Sequence, residues 1–509
     1  MKQLLLGIDI GTYSSKGVLC QPNGEIIAEV RTNHDMSIPK PGYAEQDADA
    51  VWWADFKKIS KELTTKVPSG DKIAGVGVSA IGACVLPVDQ SGKPLRPGIL
   101  YGVDTRSIEQ IDALEKEYSR DAMIELGGSR LTSQAIGPKI LWIKENEPEV
   151  YEKTAKFITA TSYIIFKLTG KYVIDAHTAT EFNPLLSIHA IEWDGRFAEK
   201  IATLDKLPEI GWSDKIAGQI SAEAAKATGI PEGTPVNFGA VDALSEAISV
   251  GVINPGELMI MYGSTAFMIF LIKKPIATNE LWLEAGAFEG QYEYSAGLST
   301  SGSATTWFRD QFGKDYLANE QAGSLNAYAA LAKEAAGSPI GSNGLITLPY
   351  LSGERTPIFD PKARGVIAGL SLSHTRGDLY RSLLEGTAFA IRMNLDAMQK
   401  NGAQIHYGVA VGGGSSNELW LQMVSDITGI PQFIPEKTIG AAYGDAFLAG
   451  LATGIINQID ILKRDWVKIT RKIDPNPENK RLYDQLFPLF VDLYQNSKSV
   501  VHSLTDLQV

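Results

Sequence analysis

The run GIDIGTYSSKG near the start of the chain carries an apolar stretch to an acid, Asp9. It then passes through Gly11, Thr12, Ser14, Ser15 and Lys16 before apolar residues return at Val18 and Leu19. Glycine lets a ligand come close to the backbone, and freed N–H groups beside hydroxyls are what phosphate oxygens require. Asp9 offers the hard oxygen chemistry that suits Mg2+, which gives up its waters reluctantly and takes one or two carboxylates. The same residue types also make an ordinary tight turn, so the stretch alone supports both readings. No GxxxxGK[ST] pattern occurs, which excludes a P-loop. Gly263, Ser264 and Thr265 repeat the chemistry between two apolar runs, and two such cradles on two halves would suit a cleft. In VAVGGGSSNELW, Gly412, Gly413 and Gly414 end a strand and open a helix, where free N–H groups and the helix dipole accept polar groups of a nucleotide. A plain strand-to-helix loop is the alternative. Asp242, in FGAVDALSEA, stands just past a strand at a helix start. It is either an N-cap or first-turn acid, or a general base that takes an alcohol's proton in phosphoryl transfer.

These residues need elements to hold them. Leu4 to Ile10 predicts a buried strand, Ser15 to Leu19 its partner, and the Asn-Gly turn of QPNGE leads to a third strand, Glu25 to Thr32. Helical spacing follows in DADAVWWADFKKISKELTTKV, a glycine-spaced strand in KIAGVGVSA, and a hairpin around Asp89 to Lys93 in CVLPVDQSGKPLRP. Helices are predicted at SIEQIDALEKEY, GPKILWIKENEPEVYEKT and TSYIIFKLTG, and a strand, turn and helix at PVNFGAVDALSEAISVGV. The strands of GELMIMYGSTAFMIFLIKKP loosely echo the opening hairpin, which suggests two related α/β halves.

A chain of 509 residues exceeds what one core can organise, so two large domains are expected, residues 1–245 and 246–509. The formal charge of −12 disfavours a nucleic-acid or anionic-membrane surface, and no segment has the continuous apolar length of a membrane span. Two cysteines, Cys20 and Cys84, both inside apolar runs, fit a reducing cytoplasm and exclude a disulfide framework. The six histidines, His34, His177, His189, His374, His406 and His502, show no metal-ligand spacing.

Taken together the motifs resemble the FGGY carbohydrate kinases of the actin-like ATPase superfamily. The resemblance runs through GIDIGTYSSKG, PGYAEQDADAVWW, LYGVDTRS, GPKILWIKENEPEVY, GAVDALSEA, LPYLSGERTPIFDPKARGVIAGLSLSHTRGDLYRSLLEGTAFAI and VGGGSSNELWLQMVSDITGIP, nearly the whole chain, and looks closest to the xylulokinase and gluconokinase branch. It implies two ribonuclease-H-like domains flanking a central cleft. It also implies ATP and Mg2+ as cofactors, a small-molecule sugar as substrate and, by analogy with relatives, a homodimer. By the resemblance Asp9 is the acid near Mg2+, and Gly11, Thr12, Ser14, Ser15 and Lys16 form the first phosphate loop. Gly263, Ser264 and Thr265 then form the second loop, Gly412 to Gly414 and Asn417 the adenosine region, and Asp242 the catalytic base. On this reading the turn at Gly11 is itself the cradle.

Xylulokinases typically read SGQMHG where this chain has SAIGAC, so Gly82 and Ala83 replace the Met-His pair expected to touch the sugar. That removes an imidazole and enlarges the pocket, a change that alters selectivity strongly. Asp104, followed by Arg106, is retained as a partner for sugar hydroxyls. Gln134 and Ile136 also depart from the family pattern, while Lys139 and Trp142 keep it. The acceptor expected by default is a pentulose such as xylulose, with another sugar, sugar acid or polyol (gluconate, ribulose, glycerol-like) as the alternative. From another class, the rival is a non-catalytic actin-like nucleotide-binding module, which leaves Asp242 unexplained.

Overall fold

Gln3–Ile10, Ser14–Cys20 and Ile26–Asn33 form the antiparallel meander that the opening pattern predicts. The computed structural model describes residues 2–507, and the chain divides into two compact units. The first comprises Met1–Pro255, Leu271–Glu293 and Lys437–Lys468; the second comprises Gly256–Phe270, Tyr294–Glu436 and Ile469–Val509. The expected boundary at 245/246 thus lies near the first exit of the chain from unit 1, but two later segments return to that unit.

In unit 1, Lys72–Ala80 lies parallel to Gln3–Ile10, and Pro235–Asn237 and Ala240–Val241 pair with Lys72–Ala80 in turn. The run Leu4-Leu5-Leu6 is apolar without alternation because both faces of the sheet are covered. Leu4, Leu6, Ile8 and Ile10 enter a core with Phe56, Ile59 and Leu63 of the helix Ala54–Thr64 and with Tyr163 and Ile164 of the helix Ala160–Thr169. Leu5 and Val18 join Leu244, Ile248, Ala446 and Phe447 on the other face. The helix Ala441–Ala452 supplies that second cover.

Unit 2 repeats the scheme. Leu258–Tyr262 pairs antiparallel with Ala266–Ile272 and parallel with Gly408–Val411, as Gln3–Ile10 pairs with Ser14–Cys20 and Lys72–Ala80. The ladder continues through Gln432–Pro435 to Ile469–Ile473. The faint echo between the two hairpins therefore marks a shared strand plan.

Three local expectations change. Asp89 donates its N–H to Lys93 O at 3.0 Å, so the turn forms, but Leu86–Val88 finds its ladder partner in the distant Lys156–Ile158. The helix expected from GPKILWIKENEPEVYEKT breaks at Glu147, because Pro148 starts a second helix. Ala48–Trp53 forms a π-helical turn ahead of Ala54–Thr64. Among the described residues no helix is long and apolar enough to cross a membrane.

Candidate active site

Strand alternation builds the first half of the site. With the even-numbered residues of Gln3–Ile10 in the core, Leu5, Gly7 and Asp9 share the opposite face, and Gly75, Gly77 and Ser79 of the neighbouring strand join them. The helix Ala441–Ala452 lies on that face at backbone distance. A Cβ on Gly7 would overlap the Ala442 carbonyl, one on Gly77 the Asp445 carbonyl, and one on Gly444 the Ser245 carbonyl of the helix Asp242–Ser249. Glycine at these three places brings Asp445 to Asp9.

Ser79 Oγ stands 2.7 Å from Asp445 Oδ2 and 3.0 Å from Asp9 Oδ1, and Ser245 Oγ donates to Asp445 Oδ1 at 2.7 Å. One hydroxyl has one hydrogen and cannot donate to two carboxylates, so one of the acids brings its own proton. Asp445 is that acid, since burial pushes its pKa up to about 8. The hydrogen bonds then link Asp445, Ser79 and Asp9 in one chain. Desolvation, followed by Asp242 and Asp445, holds Asp9 itself well above the usual carboxylate range.

Asp242 occupies the first turn of its helix, accepts the Ala243 N–H at 2.8 Å, and is pushed up to about 6 by burial. Glu246, one turn on, rises to about 7 by burial, with Lys16 opposing the shift. Carboxylates crowded enough to retain protons form a donor set that a divalent cation would relieve, so the residues at Asp9 fit a hard-cation site.

The first hairpin tip needs its glycine: Gly11 N–H bonds Ser14 O at 3.1 Å, and a Cβ on Gly11 would stand 2.8 Å from that oxygen. Thr12 Oγ1 lies 3.3 Å from the Tyr101 hydroxyl, and Ser14 Oγ accepts from Arg31 at 3.2 Å. Lys16 donates to the Ile439 carbonyl and stands 3.5 Å from Glu29. Ser15, expected among the phosphate contacts, is turned inward by the strand alternation. It is fully buried and donates to Asp55 at 2.7 Å. Asp55 also accepts from His34 Nδ1 at 2.7 Å, and His34 Nε2 donates to Gly11 O at 2.9 Å. Both ring nitrogens face acceptors, so His34 is an imidazolium that braces the tip.

On the expected acceptor side, Gly82 packs against Val241, where a Cβ would overlap the Val241 side chain, and its N–H favours the charged form of Asp242. Ala83 is fully buried at φ +46°, a left-handed conformation rare for alanine. Its N–H donates to Glu181 Oε2 at 2.5 Å, and its carbonyl lies 3.4 Å from Lys139 Nζ. Burial pushes the Lys139 ammonium down to about 8. Asp104, expected as a partner for sugar hydroxyls, is engaged within the protein. It is fully buried and accepts the Ala44 N–H at 2.7 Å and Arg106 Nη2 at 2.7 Å. Arg106 in turn meets Glu45 at 2.8 Å and lies over Tyr43 and Trp142. Asp104 therefore anchors a loop, with its oxygens already taken.

In unit 2, Ser264 and Thr265 are exposed at the tip of the second hairpin. Gly263 O accepts the Gly302 N–H at 2.9 Å, and Ser264 O accepts the Ser303 N–H at 2.9 Å, which pins the tip to the helix Gly302–Phe312. Gly412 has φ +86° and, with Gly414, packs against Tyr262 where no side chain would fit, while Gly413 has open space. Asn417 caps the helix Glu418–Thr428 by accepting the Trp420 N–H at 3.2 Å.

These features now have a counterpart among known proteins. The model of the N-terminal domain of the FGGY family of carbohydrate kinases matches residues 4–249, and that of its C-terminal domain matches residues 258–453. The chain belongs to the FGGY family of carbohydrate kinases. This FGGY kinase is 27% identical over 500 residues to the xylulose kinase of Bacillus subtilis (strain 168), covering 97% of each chain. It is 28% identical over 512 residues to the gluconokinase of the same strain, covering 100% of this chain and 99% of the other. The crystal structure of xylulose kinase from Rhodospirillum rubrum matches with a TM-score of 0.91 at 29% identity, covering 98% of this chain and 100% of that one. The FGGY kinase thus has the two-domain α/β, actin-like ATPase fold of its family and is a sugar phosphotransferase that uses ATP as co-substrate.

Three polar groups of this FGGY kinase lie outside its sequence motifs. Asp445 carries a faint signal, an acid inside the otherwise apolar, glycine-bearing AAYGDAFLAG. Glu181 carries none. His177, without metal-ligand spacing in sequence, meets Glu293 at 3.0 Å and Glu284 at 3.5 Å in the fold. Although burial disfavours the imidazolium, these two carboxylates outweigh it and push His177 up to about 10.

Proposed function

We infer that this FGGY kinase transfers the γ-phosphoryl group of MgATP to a hydroxyl of a ketose, and that the acceptor is a pentulose such as xylulose. The observation that carries the reading is Asp242. Its carboxylate stands at a helix start, is steadied by the Ala243 N–H, and has a pKa of about 6, so it is ionised and still basic near neutrality. A bound Mg2+ would neutralise charge on the transferred phosphoryl group, and Asp9 is the residue we assign to it. Asp242 takes the proton of the attacking hydroxyl, while the Gly82 peptide beside it favours the carboxylate in its receptive form. The Gly11 tip, with Thr12, Ser14 and Lys16, receives phosphate in unit 1. In unit 2 the Gly263 tip has the same chemistry, and the Gly412–Gly414 turn, with Asn417 behind it, suits the nucleoside. Relatives named xylulose kinase support the pentulose.

ADP release measured over ketoses, sugar acids and polyols tests this. Stimulation by a pentulose is expected, and the absence of stimulation by any acceptor would leave a nucleotide-binding module instead. Asp242→Asn is expected to keep nucleotide affinity and lose roughly a hundred- to ten-thousandfold in kcat, the usual worth of a general base. Ordinary turnover in that variant would remove Asp242 from the mechanism.

A further inference from the structure

On the Glu181 side of Asp242, unit 1 contains a small recess that opens to solvent. Gln134, Thr180, Glu181, Asn183 and Glu284 are among its lining residues. Its position follows from two consecutive peptides: the Gly82 N–H favours the Asp242 carboxylate, and the next N–H, that of Ala83, is held by Glu181 Oε2. Neither Gly82 nor Ala83 presents a polar side chain to an acceptor. Glu181 does. Its side chain is more than nine-tenths buried, and Oε1 lies 3.3 Å from the point where a Cβ of Gly82 would stand. Among the described residues Oε1 has no hydrogen-bond partner and stays open to the recess that Glu181 lines.

Two neighbours also carry a polar atom without a partner, Gln134 half-buried and Asn183 buried. Gln134 spends Oε1 on the Gly102 N–H at 3.0 Å, and among the described residues its amide nitrogen has no hydrogen bond. Asn183 donates to Ser129 O at 2.9 Å, while its buried Oδ1 has no partner. The recess thus combines buried acceptors with a side-chain donor, the set that alternating hydroxyls satisfy.

Resting on the reading of the chain as a sugar kinase, we propose that Glu181 is the specificity-determining residue of the acceptor site. Its Oε1, together with the Gln134 amide, binds hydroxyls of a neutral polyhydroxylated acceptor held for Asp242. With Glu181 a carboxylic acid near neutrality, the recess sets Arg130 against Glu284 and offers a sugar acid no net positive charge. Lys139 is turned to the Ala83 carbonyl and His177 to Glu284 and Glu293. Burial also pushes Glu181 up to about 8, which leaves it a carboxylic acid near neutrality, able to donate to one hydroxyl and accept from another.

The test is steady-state kinetics of the full chain and of Glu181→Gln and Glu181→Ala, with D-xylulose, D-ribulose, their single-deoxy analogues and D-gluconate. For the wild type, a neutral ketose is expected to exceed gluconate in kcat/KM. Glu181→Ala is expected to raise KM for the ketose about tenfold or more with KM for ATP unchanged. It should also shrink the preference for the intact ketose over one deoxy analogue by a similar factor, because the group that penalised the missing hydroxyl is gone. Glu181→Gln, which keeps one donor and one acceptor, should stay close to wild type with the ketose. An equal fall in kcat for every acceptor in both variants would show a merely structural Glu181 and overturn the proposal, as would a wild-type preference for gluconate. A wild type that turns over none of these acceptors would bring down the kinase reading and this inference together, whereas an active enzyme with unchanged acceptor ratios would remove this inference alone.

Discussion

Ser79 shows how a single hydroxyl decides the ionisation of its neighbours. Lying between Asp445 and Asp9, it cannot serve two carboxylates as donor, and the proton this requires stays on the more buried acid. In the folded chain Asp445 keeps that proton up to about pH 8, whereas in an unfolded chain an aspartate has lost it by about pH 4 to 5. Folding therefore takes up a proton between those limits, and stability falls as pH rises through the window. The thermal midpoint of the ligand-free protein should drop between pH 6 and pH 9. Asp445→Asn, which has the shape of the protonated acid and needs no proton uptake, should reduce that slope, so that its midpoint rises above that of the wild type by a margin that grows between about pH 4 and pH 8. Equal slopes for the two proteins in calorimetry would contradict the assignment. The raised pKa values of Asp9 and Glu181 act in the same direction and leave a residual slope.

At the scale of elements, the site depends on how closely the helix Ala441–Ala452 approaches its sheet. Gly7 and Gly77 leave no room for a methyl group beneath the Ala442 and Asp445 carbonyls, so the helix backbone rests on the strands and hands Asp445 to Ser79. Gly77→Ala should push the helix outward and cost roughly 1–3 kcal/mol in urea unfolding, the range for overpacking a tight interior. Gly413→Ala, where a Cβ meets nothing, should stay within about 0.5 kcal/mol. Equal stability of both variants would mean that the helix can shift freely. The strand KIAGVGVSA shows its glycine spacing in sequence, and a glycine-spaced strand is readable there. What presses against those glycines is not, because the partner helix lies more than 360 residues further along the chain.

Across the whole molecule, unit 1 is assembled from three separate segments. Residues 1–255 alone would leave Leu5, Val18, Leu244 and Ile248 without the cover of Ala442, Ala446 and Phe447. That fragment should show no cooperative unfolding transition by circular dichroism, and joining residues 437–468 to it through a flexible linker should restore one; a cooperative transition in the fragment alone would refute the dependence. Sequence by itself determined what short-range chemistry dictates. It specified the meander from its apolar runs and the Asn-Gly turn, the turn at Gly11, the helix that begins at Asp242, and the α/β class with two related halves. The family motifs are legible for the same reason, since each occupies one continuous stretch. Tertiary structure alone decided which side chains share a proton and which are turned inward. It turned Ser15 inward to Asp55, spent Asp104 on Arg106, and brought Asp445 to Asp9 and Glu181 to Ala83. Each of these contacts joins residues that are remote in the chain or sits on a strand face set by its covering helix, and no local pattern of residue types records which face that will be.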